Sequence, residues 1–214
     1  MHLKKINLLP ELNDIDVKTV IKMLSIENEP FYLDVIADKN AEYGNCFLNV
    51  FAKIAREKGT IIYGWHFCKH EYMVEAEFHG IWKSPQGQLI DITPSVNPNL
   101  NRSLFVIDEV RVFEGKQVDN FRLNITNNEL VDDIIEVEQA RFRFLNKDSR
   151  DNILGRLDLN QSEQRVWELI EFYAASLEQL YFNRWTIATK CFCGTGLSYN
   201  ECHRRIFKQV MLSI

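Results

Sequence analysis

The chain has 214 residues, 46% of them hydrophobic and 26% charged, with 30 acidic against 25 basic side chains and a formal net charge of −5. That balance fits one core of decent size with room for an appendage, and with no basic stripe it excludes a nucleic-acid-binding surface from expectation. Met1 to Glu11 hold two lysines but no apolar run of signal-peptide length, and no later stretch reaches the length of a membrane span, so a cytoplasmic protein without a membrane partner is expected.

Five cysteines, three of them bunched near the C-terminus, are too few and too clustered for a disulfide framework. A reducing compartment suits both a thiol nucleophile and a metal site. In chain order, Asp16 to Ile26 predicts a short amphipathic helix with Val17, Val20, Ile21 and Leu24 on one side. The apolar run Phe31 to Ile36 follows Pro30 as a packing element.

Cys46 then opens a second helical pattern. Phe47, Val50, Phe51, Ile54 and Ala55 recur at helical spacing and Gly59 closes the end. A thiol at a helix N-terminus faces unpaired N–H groups and the positive end of the helix dipole, which favour the nucleophilic thiolate form. Thr60 to Phe67 predicts a strand; if it continues, His66, Cys68 and His70 face the same way, three ligand types that with His79 make an alternative metal site. Trp65 and Trp82 serve as core or as walls of a substrate groove.

His79 lies in a strand whose Val74, Ala76, Phe78 and Trp82 form one face, with Glu75, Glu77 and His79 on the other, read as solvated. Pro85-Gln86-Gly87 suits a type I turn followed by a left-handed residue, a three-residue loop that pairs Ser84 with Gln88. That register sets Ile81 opposite Asp91 and His79 opposite Thr93. His79 and Asp91 then share a face as diagonal neighbours, roughly 7–8 Å apart at the backbone, and a shift of one residue would separate them. The three groups compose a candidate catalytic set: Cys46 as nucleophile, His79 as base and then acid, Asp91 fixing the imidazole. The Cys46 backbone N–H is the natural first oxyanion donor; Asn40, Tyr43, Asn45 and Trp65 are unranked candidates for a second donor or for substrate binding.

The motifs Gly44-Asn45-Cys46-Phe47, Tyr63-Gly64-Trp65, Glu77-Phe78-His79-Gly80-Ile81-Trp82 and Gly87 to Pro94 resemble those of bacterial and phage proteins with a papain-like or transglutaminase-like Cys-His-Asp core. The resemblance covers about half of the chain. It implies an α+β fold in which the cysteine-bearing helix packs on a small antiparallel sheet carrying His79 and Asp91. It also implies a thiol-dependent hydrolase or acyltransferase acting on an amide, isopeptide or thioester bond of a protein or peptide substrate.

Beyond Pro94, Ser95 to Arg102 predicts a loop, and Leu104 to Ile107, Val110 to Phe113 and Phe121 to Ile125 predict further strands. From Glu129 the pattern turns helical through Leu130, Ile134, Val137 and Ala140. Lys147 to Asp151 reads as a break, and Asn160 or Ser162 can cap a long helix running to about Tyr181. The expected domains are a core over 1–145, a helical connector over 146–187 and a small appendage over 188–214.

In that appendage Cys191 and Cys193, one residue apart, precede Cys202 and His203, with glycines between the pairs. They supply four soft ligands for a tetrahedral, structural Zn2+ with no position left for water. The spacing resembles the SEC-C motif, which implies a zinc knob that contacts protein partners. Where that family is commonly lysine-rich between its ligand pairs, Leu197, Ser198, Asn200 and Glu201 stand here. The rival to an enzyme is therefore a non-catalytic adaptor whose knob carries the biology.

Overall fold

A computed structural model describes residues 8–95, 101–147 and 158–214. The loop expected from Ser95 to Arg102 and the break expected at Lys147 to Asp151 fall in part outside the described residues. The protein is mixed α+β, and its described residues divide into two compact units, one within 8–114 with 118–123, the other within 124–214 with the short stretch 115–117.

In the first unit, α1 (Ile15–Met23) begins where the Asp14 side chain accepts from the N–H groups of Asp16 and Val17. It buries Val17, Val20 and Ile21. The strands β1 (Phe31–Asp34), β2 (Thr60–Lys69), β3 (Met73–Lys83), β4 (Leu89–Ile90) and β5 (Arg102–Ile107) form an antiparallel sheet in the order β1-β5-β2-β3-β4, with β6 (Phe121–Asn124) also paired to β3. A bridge between Val35 and Asp91 joins the two ends, so the sheet is nearly closed.

Alternation sorts the side chains between two faces. Inside lie Leu33, Ile81 and Phe105, packed by Phe31, Ile62, Leu89 and Ile107. On the outer face α2 (Cys46–Glu57) covers the sheet: Val50 meets Trp82 and Ile92, and the Phe47 ring lies 5.6 Å from that of Phe78. The helix stops at Lys58 (φ 65°) and Gly59 (φ 93°). A side chain at Gly59 would also strike the Lys83 carbonyl oxygen, 2.3 Å from where its Cβ would stand.

Gly64 is fixed by a different crowding. A Cβ there would lie 2.1 Å from the Val106 carbonyl oxygen and 2.4 Å from the Phe105 ring. Since neither backbone oxygen nor packed ring can move far, Gly64→Ala is expected to destabilise the protein by about 3 kcal/mol. A chemical-denaturation midpoint within error of the wild type would refute that packing.

The hairpin register is the one the turn chemistry predicts. Ser84 N–H donates to the Gln88 carbonyl at 2.8 Å, and Lys83 and Trp82 pair with Leu89 and Ile90. The expected pairings of Ile81 with Asp91 and His79 with Thr93 do not form. After Ile90 the chain turns to β1 instead: Asp91 N–H donates to Asp34 at 3.0 Å and its carbonyl accepts from Ile36 at 2.8 Å. Three further corrections follow from packing. Val110 to Phe113 is not a strand, because the Asp108 carboxylate takes the Val110 and Arg111 N–H groups at 2.9 and 3.0 Å and turns the chain. Glu75 and Glu77 are on the face of β3 that carries His79; Glu77 is exposed there as expected, but Glu75 is largely covered and paired with Arg122 at 2.8 Å. Finally, β2 ends at Lys69, and His70 leaves the line of His66 and Cys68.

The second unit contains α3 (Glu129–Leu145), α4 (Gln161–Phe182) and α5 (His203–Leu212). Leu130, Ile134, Val137 and Ala140 bury one side of α3, and Ile170, Tyr173 and Leu177 one side of α4. Asn160 starts α4 with a reciprocal cap to Glu163. The helix α5 was not marked in the sequence. Phe207 and Met211 bury it, while Arg204 Nε and Lys208 Nζ reach the fully buried Asp133 carboxylate at 2.9 and 2.8 Å. No described helix is long and apolar enough to cross a membrane.

Candidate functional site

Cys46, His79 and Asp91 come together although they arrive on different elements. α2 presents Cys46 in its first turn, β3 presents His79 from its inner face, and Asp91 stands just past β4 where the chain crosses to β1. All three are buried, and all three line one partly enclosed cavity of about 130 Å³. His79 Nε2 lies 3.1 Å from Asp91 Oδ2. The contact is off the line of an ideal hydrogen bond, and neither ring nitrogen of His79 has an aligned partner among the described residues.

Burial disfavours a charged imidazole at this position, but the charges of Asp91 and Cys46 and the polar contacts with them hold the His79 pKa well above its ordinary value. Asp91 is the complement: burial opposes its ionisation, yet His79 and the Thr93 N–H hold its carboxyl below the usual carboxylate range. The Thr93 N–H donates to Asp91 Oδ1 at 2.9 Å, which leaves Oδ2 to face His79. Asn49, one turn along α2, ties the same corner together by donating to the Glu42 carbonyl at 2.8 Å and to Thr93 Oγ1 at 3.3 Å. Sequence reasoning missed Asn49. Its signal was a polar residue on the otherwise apolar face of α2.

The candidates for a second oxyanion donor separate clearly. Tyr43 lines the cavity, with its side chain otherwise largely exposed. Asn40 and Asn45 are not among the residues lining it, and Asn45 donates its amide to Glu42 at 3.0 Å. Of its two expected places Trp65 takes the core: it points to the outer face, is buried there, does not line the cavity, and donates from Nε1 to Asp108 at 2.9 Å. Asn45 makes no side-chain cap to α2, so the amide groups of the first turn are not occupied by it.

His66, Cys68 and Glu77 also line the cavity. Burial, with Glu75 and Glu77 adding their charge, pushes the Cys68 thiol up to about 12. His66, Cys68, His70 and His79 do not assemble a metal site: among the described residues their side chains form no ligand cluster, and His70 instead stacks on Tyr72 and faces Glu75 at 3.7 Å.

The second unit does hold such a cluster. The ligand atoms of Cys191, Cys193, Cys202 and His203 all lie within 4.8 Å of one another, with Cys191 Sγ to His203 Nδ1 at 3.1 Å and Cys193 Sγ to Cys202 Sγ at 3.5 Å. These separations approach the edges of roughly 3.5–3.8 Å of a tetrahedral site with such donors, so the four residues could hold a metal ion. No disulfide competes, as all five cysteines are free. The local turns explain the convergence. Gly194 and Gly196 adopt φ of 78° and 81°, and Cys191 N–H closes the loop onto the Leu197 carbonyl at 2.8 Å. Hydrogen bonds from Thr195 hold the Cys193 thiol down to about 6, which favours a metal-binding thiolate.

No protein-family model, curated protein or solved structure matches this chain.

Proposed function

We propose that the first unit is a thiol-dependent hydrolase or acyltransferase with a papain-like or transglutaminase-like arrangement, acting on an amide, isopeptide or thioester bond through an acyl intermediate on Cys46. The observation that carries this reading is the buried His79, which faces Asp91 at 3.1 Å and lines one cavity with Cys46. A carboxylate, an imidazole and a helix-terminal thiol in that sequence have the arrangement of an activated nucleophile.

In the reaction, His79 takes the Cys46 proton and Cys46 Sγ attacks the acyl carbon. The oxygen that gains charge is met by the Cys46 backbone N–H, and Tyr43 is the one of Asn40, Tyr43 and Asn45 that borders the cavity and could join it. His79 then returns the proton to the leaving group, and Asp91 stabilises the imidazolium throughout. Water or another acceptor finally attacks the thioester and frees Cys46.

The metal cluster supports a second element of the proposal. Cys191, Cys193, Cys202 and His203 would hold a structural Zn2+, in the manner of a SEC-C knob, and so fix the start of α5. Such a knob suits recruitment of a protein partner. An adaptor that works through the knob alone remains the rival reading, and one measurement separates the two. Iodoacetamide at mildly acidic pH should label Cys46 at least tenfold faster than Cys68, whose protonated thiol is inert there. Mutation of His79 to Ala should remove the difference; equal slow labelling of both thiols would favour the adaptor.

A further inference from the structure

The Cys46–His79–Asp91 chemistry leaves a second histidine in the same cavity unused. His66 lies on β2, where the ladder sets Gly64 opposite His79 and His66 opposite Glu77. It is therefore the diagonal neighbour of His79 on the inner face, and the two rings stand 5.8 Å apart between centroids. Gly64 offers no side chain between them. Glu77 Oε2 lies 4.0 Å from His66 Nδ1, outside direct hydrogen-bond reach, where Asp91 lies 3.1 Å from His79. The inner face thus carries two histidine–carboxylate pairs side by side, both opening on one cavity with Cys46.

We infer that His66, with the Glu77 charge on its Nδ1 side, is the base that deprotonates the second nucleophile, so that acylation runs through His79 and deacylation through His66. This rests on the Cys46 acyl-enzyme proposed above. Four observations support it. A negative charge at Nδ1 favours the tautomer with its proton on that nitrogen, leaving Nε2 as an acceptor. Burial, and then the neighbouring charge of His79, hold the His66 pKa below its ordinary value, so His66 stays neutral while His79 is charged. Paired titratable groups driven apart in this way take opposite proton-transfer roles. Lastly, Glu77 is half exposed and, among the described residues, has no Lys or Arg partner, whereas Glu75 is tied to Arg122 at 2.8 Å.

The step balances without any further reagent. Water, hydrogen-bonded to His66 Nε2, loses a proton to that nitrogen as its oxygen bonds to the thioester carbon. The carbon–sulfur bond then breaks and the electron pair returns to Cys46 Sγ, while His79, neutral since it protonated the leaving group, takes the second proton of the former water from the new carboxyl group, so that its imidazolium pairs with the thiolate. The carboxylate product leaves and His66 releases its proton to solvent.

The test uses the full chain, zinc-loaded, with p-nitrophenyl acetate as the acylating probe and intact-mass spectrometry to count acetyl groups on Cys46. In His66→Gln the burst of nitrophenol should survive, while steady-state turnover falls about a hundredfold and the acetyl-enzyme accumulates. Added imidazole should restore turnover, which a merely structural defect would not allow. Glu77→Gln should show the same accumulation more weakly and guards against a folding defect in the first variant. Wild-type turnover in His66→Gln, or a burst lost together with turnover while the fold is intact, would overturn the assignment to deacylation. A wild-type protein that is never acetylated on Cys46 would instead overturn the thiol-enzyme reading itself.

Discussion

Replacement of Asp91 by Asn is expected to lower turnover through Cys46 by roughly 10²–10⁴-fold while leaving the fold in place. Asparagine keeps an oxygen for the Thr93 N–H, and the backbone bonds of position 91 to Asp34 and Ile36 do not involve the side chain. What is lost is the negative charge beside His79 Nε2. An amide there also presents either the wrong atom or a donor, and so favours the wrong imidazole tautomer. Turnover of an activated ester by the variant within a few fold of the wild type would mean that Asp91 only packs the corner.

The same substitution has a signature in stability against pH. His79 has a raised folded pKa, so its contribution is fully present below its unfolded value near 6.5 and is lost as pH rises through the raised one. Asp91 has a lowered folded pKa, so its contribution is present above its unfolded value near 3.8 and is lost as pH falls through the lowered one. The stability difference between wild type and Asp91→Asn should therefore be widest from mildly acidic to neutral pH and shrink toward both extremes. Denaturation midpoints across that range check it, and a pH-independent difference would contradict the ion pair.

The other large effect belongs to the metal cluster. The purified protein should carry one zinc ion per chain by elemental mass spectrometry, and Cys202→Ser should lose it. Structural zinc in small domains contributes about 10–16 kcal/mol of apparent binding free energy at neutral pH, so the local structure should not persist without it. Cys202 and His203 lie at the head of α5, and α5 brings Arg204 and Lys208 to Asp133. Releasing α5 would leave a buried carboxylate with its cations displaced, a costly state. Faster amide exchange along residues 188–214 and around Asp133 is the expected result in the chelated protein. Exchange unchanged by chelation would show that the four ligands hold nothing.

Much of this was legible because it is local. Helix α2 follows from the spacing of Phe47, Val50 and Ile54, and the β3–β4 register follows from Pro85 and Gly87 as far as Ile90. The spacing of Cys191, Cys193, Cys202 and His203 was equally readable, since its glycines sit where the loop needs positive φ. What could not be read is what depends on partners far along the chain. Glu75 looks solvated until Arg122, far along the chain on β6, pairs with it, and the Asp108 that takes the Trp65 N–H is equally remote. Val110 to Phe113 has strand composition, but one Asp108 carboxylate overrides it. Asp91 reaches His79 by leaving the hairpin for β1, a choice no local pattern announces.

That departure bears on when the site can exist during folding. The β2–β3 hairpin and α2 are built from nearby residues and can form early, but the bridge between Val35 and Asp91 must wait for distant segments to meet. Asp91 is both the closing stitch of the sheet and the partner of His79. A chain whose sheet has not yet closed at Val35 therefore carries the thiol and the imidazole without the carboxylate fixed beside them.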